Sequence, residues 1–287
     1  MKNLLKVLSP PPGHWVGDGF PVRTIFSYQS LGAAISPFLL LDYAAPARFD
    51  PTDKPRGVEE HPHRGFETVT IVYQGRLEHR DSAGNHGTIG PGDVQWMTAA
   101  SGVLHEEFHE GEFTRTGGIF EVVQLWVNLP AKFKMSAPKY QTLLNGDIPV
   151  VSLPDGRSTV RVIAGQFQER KGPARTFTPV ELWDVRLAKG ARAEFSLPDG
   201  QNTALLVRNG RLRVNESKSA GDAELALFDS SGTSLVVDAQ TDTSALLLSG
   251  EPINEPVVAR GPFVMNTEDE IRQAMLDYQS GRMGRLS

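Results

Sequence analysis

Apolar and polar positions alternate with a period of two over much of the chain, as expected for strands with one buried face. Val22-Arg23-Thr24-Ile25-Phe26 alternates, and Pro37-Phe38-Leu39-Leu40-Leu41-Asp42 is a nearly unbroken apolar run that predicts a buried strand. Residues 43–60 are polar with three prolines and predict a long loop. From Glu67 the strand pattern returns, with Val69, Ile71 and Tyr73 on one parity and Thr68, Thr70 and Val72 on the other. Gly75 turns the chain into a return strand over 76–80, and Asp81-Ser82-Ala83-Gly84-Asn85 has the composition of a hairpin turn. Gly90-Pro91-Gly92-Asp93 predicts a further turn, followed by strands over 94–98 and 104–109. Val123, Leu125, Val127 and Leu129 share one face of a last strand.

Residues 130–158, with prolines at 130, 138, 149 and 154, lack sustained periodicity and predict an interdomain connection. Strand patterns resume at Thr159–Ile163 and recur as far as Ala245–Leu248. Thr68–Leu77 (TVTIVYQGRL) and Thr203–Leu212 (TALLVRNGRL), 135 residues apart, both read as a strand ending in the same Gly-Arg-Leu, so the second half is expected to repeat the first. Near the end, Thr267 and Glu270 form a capping box. Ile271, Ala274, Met275 and Tyr278 then form a helical stripe. The expectation is an all-β chain with a C-terminal helix: a first domain over 1–133, a linker over 134–158 and a second domain over 159–287.

Composition narrows the chemistry. With 287 residues, 39% apolar and 22% charged, the chain suits a globular protein of about two domains. A net charge of −5 gives no support for binding nucleic acid. There is no cysteine, which excludes disulfides, iron–sulfur clusters and zinc ribbons. Any metal must be held by histidine, carboxylate or amide. The opening Met1–Leu8, interrupted by Lys6, does not read as a secretory signal, and no run is long enough to span a membrane, so a cytoplasmic location is expected.

The chemistry concentrates in His61-Pro62-His63 and His105-Glu106-Glu107. Residues two apart on a strand point to one face, so each pair can aim two donors at one point. Three imidazoles and a carboxylate suit a divalent transition metal, iron first, with copper, nickel, manganese or zinc also accommodated. Glu67 and Glu107 compete for the carboxylate position. Glu107 is favoured because it shares the strand and parity of His105. His109 shares that parity too and reads as a rim residue. His79 and His86 flank a hairpin turn and read as solvated. Phe66, Trp96 and Phe108 read as core and Glu59-Glu60 as exposed, while Arg64 reads either as a surface charge or as a gate.

Several motifs occurring in one order resemble the pirin family: HPHRGFET at 61–68, GPGDVQWMT at 90–98, His105 with Glu107, QLWVN at 124–128 and GPFVMN at 261–266. The resemblance runs from the Pro37–Asp42 run to the terminal helix. It implies a bicupin, two antiparallel β-barrels with one metal, usually iron, in the first, and His61, His63, His105 and Glu107 as ligands. Ala100 departs from the broader cupin pattern, which has proline there, and Gly57 lies closer to His61 than that pattern asks. Pirins are similar to flavonol 2,3-dioxygenases. The resemblance therefore implies a flavonol-like substrate, dioxygen, and Glu107 as both ligand and catalytic base. It also implies an alternative: a non-enzymatic, redox-sensing regulator that binds a transcription factor or a metabolic enzyme.

Overall fold

A computed structural model describes residues 1–286. Contacts divide the chain into two units. One comprises Pro12–Thr24, Phe38–Asn145 and Ile253–Ser287 and carries every histidine; the other comprises Met1–Pro11, Ile25–Pro37 and Gly146–Pro252. These boundaries differ from the expected 1–133 and 159–287. The terminal helix belongs with the histidine-bearing unit, and the first strand, Leu4–Leu8, belongs with the other.

The histidine-bearing unit is built from a seven-stranded and a four-stranded antiparallel sheet. The larger runs in the order Lys139–Leu143, Val94–Thr98, Phe66–Gln74, Gly118–Asn128, Phe38–Phe49, Phe20–Ser27 and His14–Val16. The smaller runs Gly57–His63, Val103–His109, Leu77–Asp81 and His86–Ile89. The other unit repeats the scheme. Its larger sheet runs Leu4–Leu8, Leu225–Phe228, Asn202–Asn209, Thr243–Gly250, Val180–Leu187, Thr159–Ala164 and Val150–Ser152. Its smaller sheet runs Arg192–Ser196, Ser234–Ala239, Leu212–Val214 and Lys218–Ala220. Phe66–Gln74 and Asn202–Asn209, the two copies of the repeated motif, occupy the same place in their sheets. The two units are cupin-like β-sandwiches, whose sheets do not close into the barrels that the family resemblance implied.

Two expected irregular stretches are ordered. The strand Phe38–Phe49 runs well into the predicted loop, so that only 50–56 separate it from the first histidine strand. Its residues keep pairing with Gly118–Asn128 past the polar positions, and sheet hydrogen bonding overrides local composition. Within the expected linker, Lys139–Leu143 adds an edge strand to Val94–Thr98.

The inner faces differ between units. In the histidine-free unit Trp183, Phe195, Leu205, Leu235 and Val237 fill the interior. In the other, part of the inner face is polar: His63, His79, His105, Glu107 and Gln95 are all buried. Buried polar groups need partners, so this face is where function is sought.

The helix Glu268–Gln279 begins with the expected capping box, in which Thr267 Oγ1 accepts from Glu270 N. Ile271 and Ala274 pack on Leu104, Phe263, Met265 and Met283. Tyr278 falls outside the buried stripe and Asp277 is buried instead, because Asp277 faces Arg64. Arg64 is not a surface charge. It is buried, donating from Nη1 to Asp277 Oδ2 at 2.8 Å and from Nε to the Ser101 carbonyl at 2.7 Å. Among the described residues no helix is long and apolar enough to cross a membrane.

Lys134 adds a second tie beneath the first histidine pair. Its Nζ donates to the Gly65 and Val264 carbonyls and to Asn128 Oδ1 at 2.6, 2.9 and 2.6 Å. Burial pushes its pKa down to about 7, while three acceptors match the three ammonium hydrogens. Gly65 is required there, since its φ is +91° and a Cβ would collide with the Val264 carbonyl. Lys134→Met should leave three buried acceptors unmatched and lower the unfolding free energy by about 3 kcal/mol in denaturant titration; an unchanged midpoint would show that the tie carries no stability.

Candidate metal centre

The two histidine strands lie side by side in the four-stranded sheet. Antiparallel register sets His61 opposite His105 and His63 opposite Val103. The register slips between His105 and Glu107, where the first strand bulges, so Glu107 faces Val58. Gly57 permits the close approach of the strands beyond that bulge, because a Cβ there would strike the Glu107 carbonyl and Phe108.

The three imidazoles converge. Ring centroids lie 4.9 Å apart for His61 and His63, 4.3 Å for His61 and His105, and 4.8 Å for His63 and His105. One nitrogen from each falls within 4.8 Å of the others. His61 Nδ1 lies 2.8 Å from the Glu59 carbonyl and can only donate to it, which leaves Nε2 as the lone pair. His63 Nδ1 and His105 Nε2 are buried without any hydrogen-bond partner. Burial, reinforced by the neighbouring histidines, holds His63 and His105 well below the ordinary 6.5 and keeps their lone pairs available. Two orphaned ring nitrogens beside a third free one fit a soft-to-borderline divalent cation.

Glu107 lies outside that group and shares only His105 with it. Its carboxylate lies with the donors of His105 and His79 in a second cluster, again within 4.8 Å. It is fixed by Gln124 Nε2 at 2.9 Å and by Thr70 Oγ1 at 3.1 Å, and Gln95 Nε2 lies 3.4 Å away. Glu107, His61 and His63 line a common cavity of about 170 Å³. Its walls are Val16, Phe20, Val22, Val58 and Trp126, with Asp42 and Gln124 as the other polar groups. Burial raises the Asp42 pKa, opposed by the Thr24 hydroxyl 2.6 Å away.

The remaining sequence candidates separate from the cluster. Glu67 is buried in neither donor group and accepts from Thr98 Oγ1 at 2.7 Å. His109 is not at a rim. It is buried among Phe20, Phe49, Phe113 and Phe120, with Nε2 2.9 Å from the Gly19 carbonyl. Burial pushes it down to about 4. His14 and His86 are exposed. His79, expected in solvent, is 2% exposed and sits between His105 and Asp81. The sequence did carry a signal for it: Leu77, His79 and Asp81 share a parity between charged Glu78 and Arg80, and that parity faces inward.

The sequence pattern described as Pirin matches residues 19–127, and the Pirin C-terminal cupin domain matches residues 182–284. The chain belongs to the pirin family. A candidate quercetin 2,3-dioxygenase of Pseudomonas aeruginosa is 54% identical over 282 residues, covering 98% of each chain. The crystal structure of a quercetin 2,3-dioxygenase from Acinetobacter baumannii matches this pirin with a TM-score of 0.98 at 49% identity, over 100% of both chains. A bacterial pirin of Escherichia coli in complex with nickel(II) shares the fold, with a TM-score of 0.62 at 20% identity over 84% of this chain and 95% of that one.

Glu67 supplies a test of the buried polar face. Burial raises its pKa from 4.5 to about 7, with the hydrogen bond from Thr98 opposing. A raised carboxyl contributes its full stability below about pH 4.5 and loses it as pH climbs to about 7. The displacement corresponds to about 3 kcal/mol. Glu67→Gln should therefore gain stability relative to the parent across pH 4.5–7 and level off above, in denaturation curves taken at each pH; a difference independent of pH would refute the buried-acid reading.

Proposed function

We propose that this pirin is a metal-dependent dioxygenase of the flavonol 2,3-dioxygenase type, with His61, His63, His105 and Glu107 holding one divalent transition metal, iron by preference. The observation that carries the reading is the pair of buried, unpartnered nitrogens, His63 Nδ1 and His105 Nε2, beside a fixed carboxylate in an apolar-walled cavity. The names of the Pseudomonas and Acinetobacter relatives supply the substrate class. Bound there, the metal would supply a Lewis acid for an acidic hydroxyl and redox chemistry toward dioxygen.

The protein side chains do the rest. Glu107 takes the hydroxyl proton of the substrate on a carboxylate oxygen, as a general base. Gln124 Nε2 holds that carboxylate in place, and the single hydrogen of the Thr70 hydroxyl is shared between Gln124 Oε1 at 2.7 Å and Glu107 Oε1 at 3.1 Å. Val16, Phe20, Val22 and Trp126 offer flat apolar surface to an aromatic ligand and keep water away from the acceptor. Asp42, on the same cavity wall, can receive a second hydroxyl.

Iron-loaded protein should change its metal spectrum on anaerobic addition of quercetin, then release carbon monoxide and a depside when oxygen is readmitted. Glu107→Gln should lower kcat by about 10²–10⁴-fold. No turnover with iron, copper, nickel, manganese or zinc would overturn the proposal. A protein partner whose affinity differs between ferrous and ferric forms would then point to regulation instead.

A further inference from the structure

We infer that His79, oriented by Asp81 and Gln95, is a positioning residue that fixes His105 in the tautomer presenting Nε2 to the metal. The inference rests on the metal-site reading above, but not on turnover. It follows from donors and acceptors taken in order, starting at Gln95.

The side-chain amide of Gln95 has only one workable orientation. Its Nε2 lies 3.4 Å from Glu107 Oε1, and an amide oxygen placed there would oppose a carboxylate oxygen. Its Oε1 accepts from the Tyr140 hydroxyl at 3.1 Å. The amide NH₂ therefore points at His79 Nδ1, 3.2 Å away, and Nδ1 must carry a lone pair. The hydrogen of the neutral ring then sits on Nε2, which donates to Asp81 Oδ2 at 3.1 Å. Tyr140 also stacks on the His79 ring, with centroids 5.0 Å apart and planes 22° apart, so the imidazole is held against rotation.

His79 is accordingly not a metal ligand, although its nitrogens lie within reach of His105 and Glu107. Nε2 is taken by Asp81, and the single Nδ1 lone pair faces two donors, Gln95 Nε2 at 3.2 Å and His105 Nδ1 at 3.4 Å. It serves both as a shared acceptor, and either donor can reach it only with a hydrogen on the donating atom. His105 then bears its hydrogen on Nδ1 and a bare Nε2, and Nε2 is the atom left buried without a partner. A ligand histidine whose far nitrogen donates to an acceptor has a fixed ring and a stronger donor lone pair. Here the acceptor is a second imidazole, backed by a carboxylate.

Asp81 is itself locked. Its Oδ1 accepts from the backbone N–H groups of Ala83 and Asn85 at 2.9 and 3.0 Å. In Asp81→Asn those two donors, with Asn85 Nδ2 3.1 Å from Oδ1, keep the amide oxygen at the Oδ1 position and turn the NH₂ toward His79, at the loss of the Asn85 Nδ2 contact with Oδ2. The His79 hydrogen must then move to Nδ1, and His105 is forced toward the Nε2–H tautomer, which cannot bind a metal through that atom.

The test is long-range ¹H–¹⁵N spectroscopy of the imidazoles in the metal-free protein, together with nickel(II) titration. Wild type should show His105 as the Nδ1–H tautomer. Asp81→Asn should shift it toward Nε2–H, and both Asp81→Asn and His79→Leu should bind nickel(II) about 10–100-fold more weakly. Should His79→Leu fail to fold, the near-isosteric Asp81→Asn decides alone. An Nε2–H His105 in wild type, or wild-type nickel(II) affinity in Asp81→Asn, would overturn the inference. A wild-type protein that has the expected tautomer and binds nickel(II), yet turns over no flavonol, would sink only the dioxygenase reading.

Discussion

Everything distinctive about this pirin depends on the antiparallel pairing of Gly57–His63 with Val103–His109. A one-residue slip in that register would turn His105 and Glu107 to the opposite face. Pairing alone puts His61 against His105, and the bulge beyond it lets Glu107 leave strict alternation with the first strand. The site is thus a property of two strands in one sheet, supported by the larger sheet through Thr70, Gln95 and Gln124.

The register is defended from behind. Arg64, between the first histidine pair and Gly65, is gripped by Asp277 of the terminal helix and by the Ser101 carbonyl, close to the start of the second histidine strand. Its backbone exchanges hydrogen bonds with Pro262 and Val264, and Lys134 collects the Gly65 and Val264 carbonyls on one ammonium. Breaking one partner of a buried ion pair costs several kcal/mol, so this segment holds the turn tightly. It also explains why the helix belongs, by its contacts, to the unit that carries the histidines and not to its neighbour in sequence.

Much of this was legible in the chain because period-two patterning reports directly on which face is buried. The convergence of His61, His63 and His105 was legible from spacing, and the repeated Gly-Arg-Leu motif predicted that the second half repeats the first. The capping box of the last helix was also readable in advance. What escaped the sequence was set by distant partners. The strand Phe38–Phe49 persists through Pro46 because Gly118–Asn128 pairs with it. Arg64 and Asp277, 213 positions apart, neutralise each other in the interior, and neither shows that locally. His79 looked solvated beside a turn because Asp81, which starts that turn, spends its other oxygen on the histidine. His109 shares the parity of the ligand candidates yet lies among phenylalanines, since the phenylalanine cluster takes over beyond Glu107.

X-ray absorption at the metal edge tests the central claim most directly. Protein purified and loaded with iron should bind one metal per chain, with the multiple-scattering pattern of about three imidazoles and oxygen donors filling the remaining positions, and His105→Ala should remove one imidazole from that pattern. A chain that takes up no stoichiometric metal, or whose metal shows no imidazole scattering, would contradict the account.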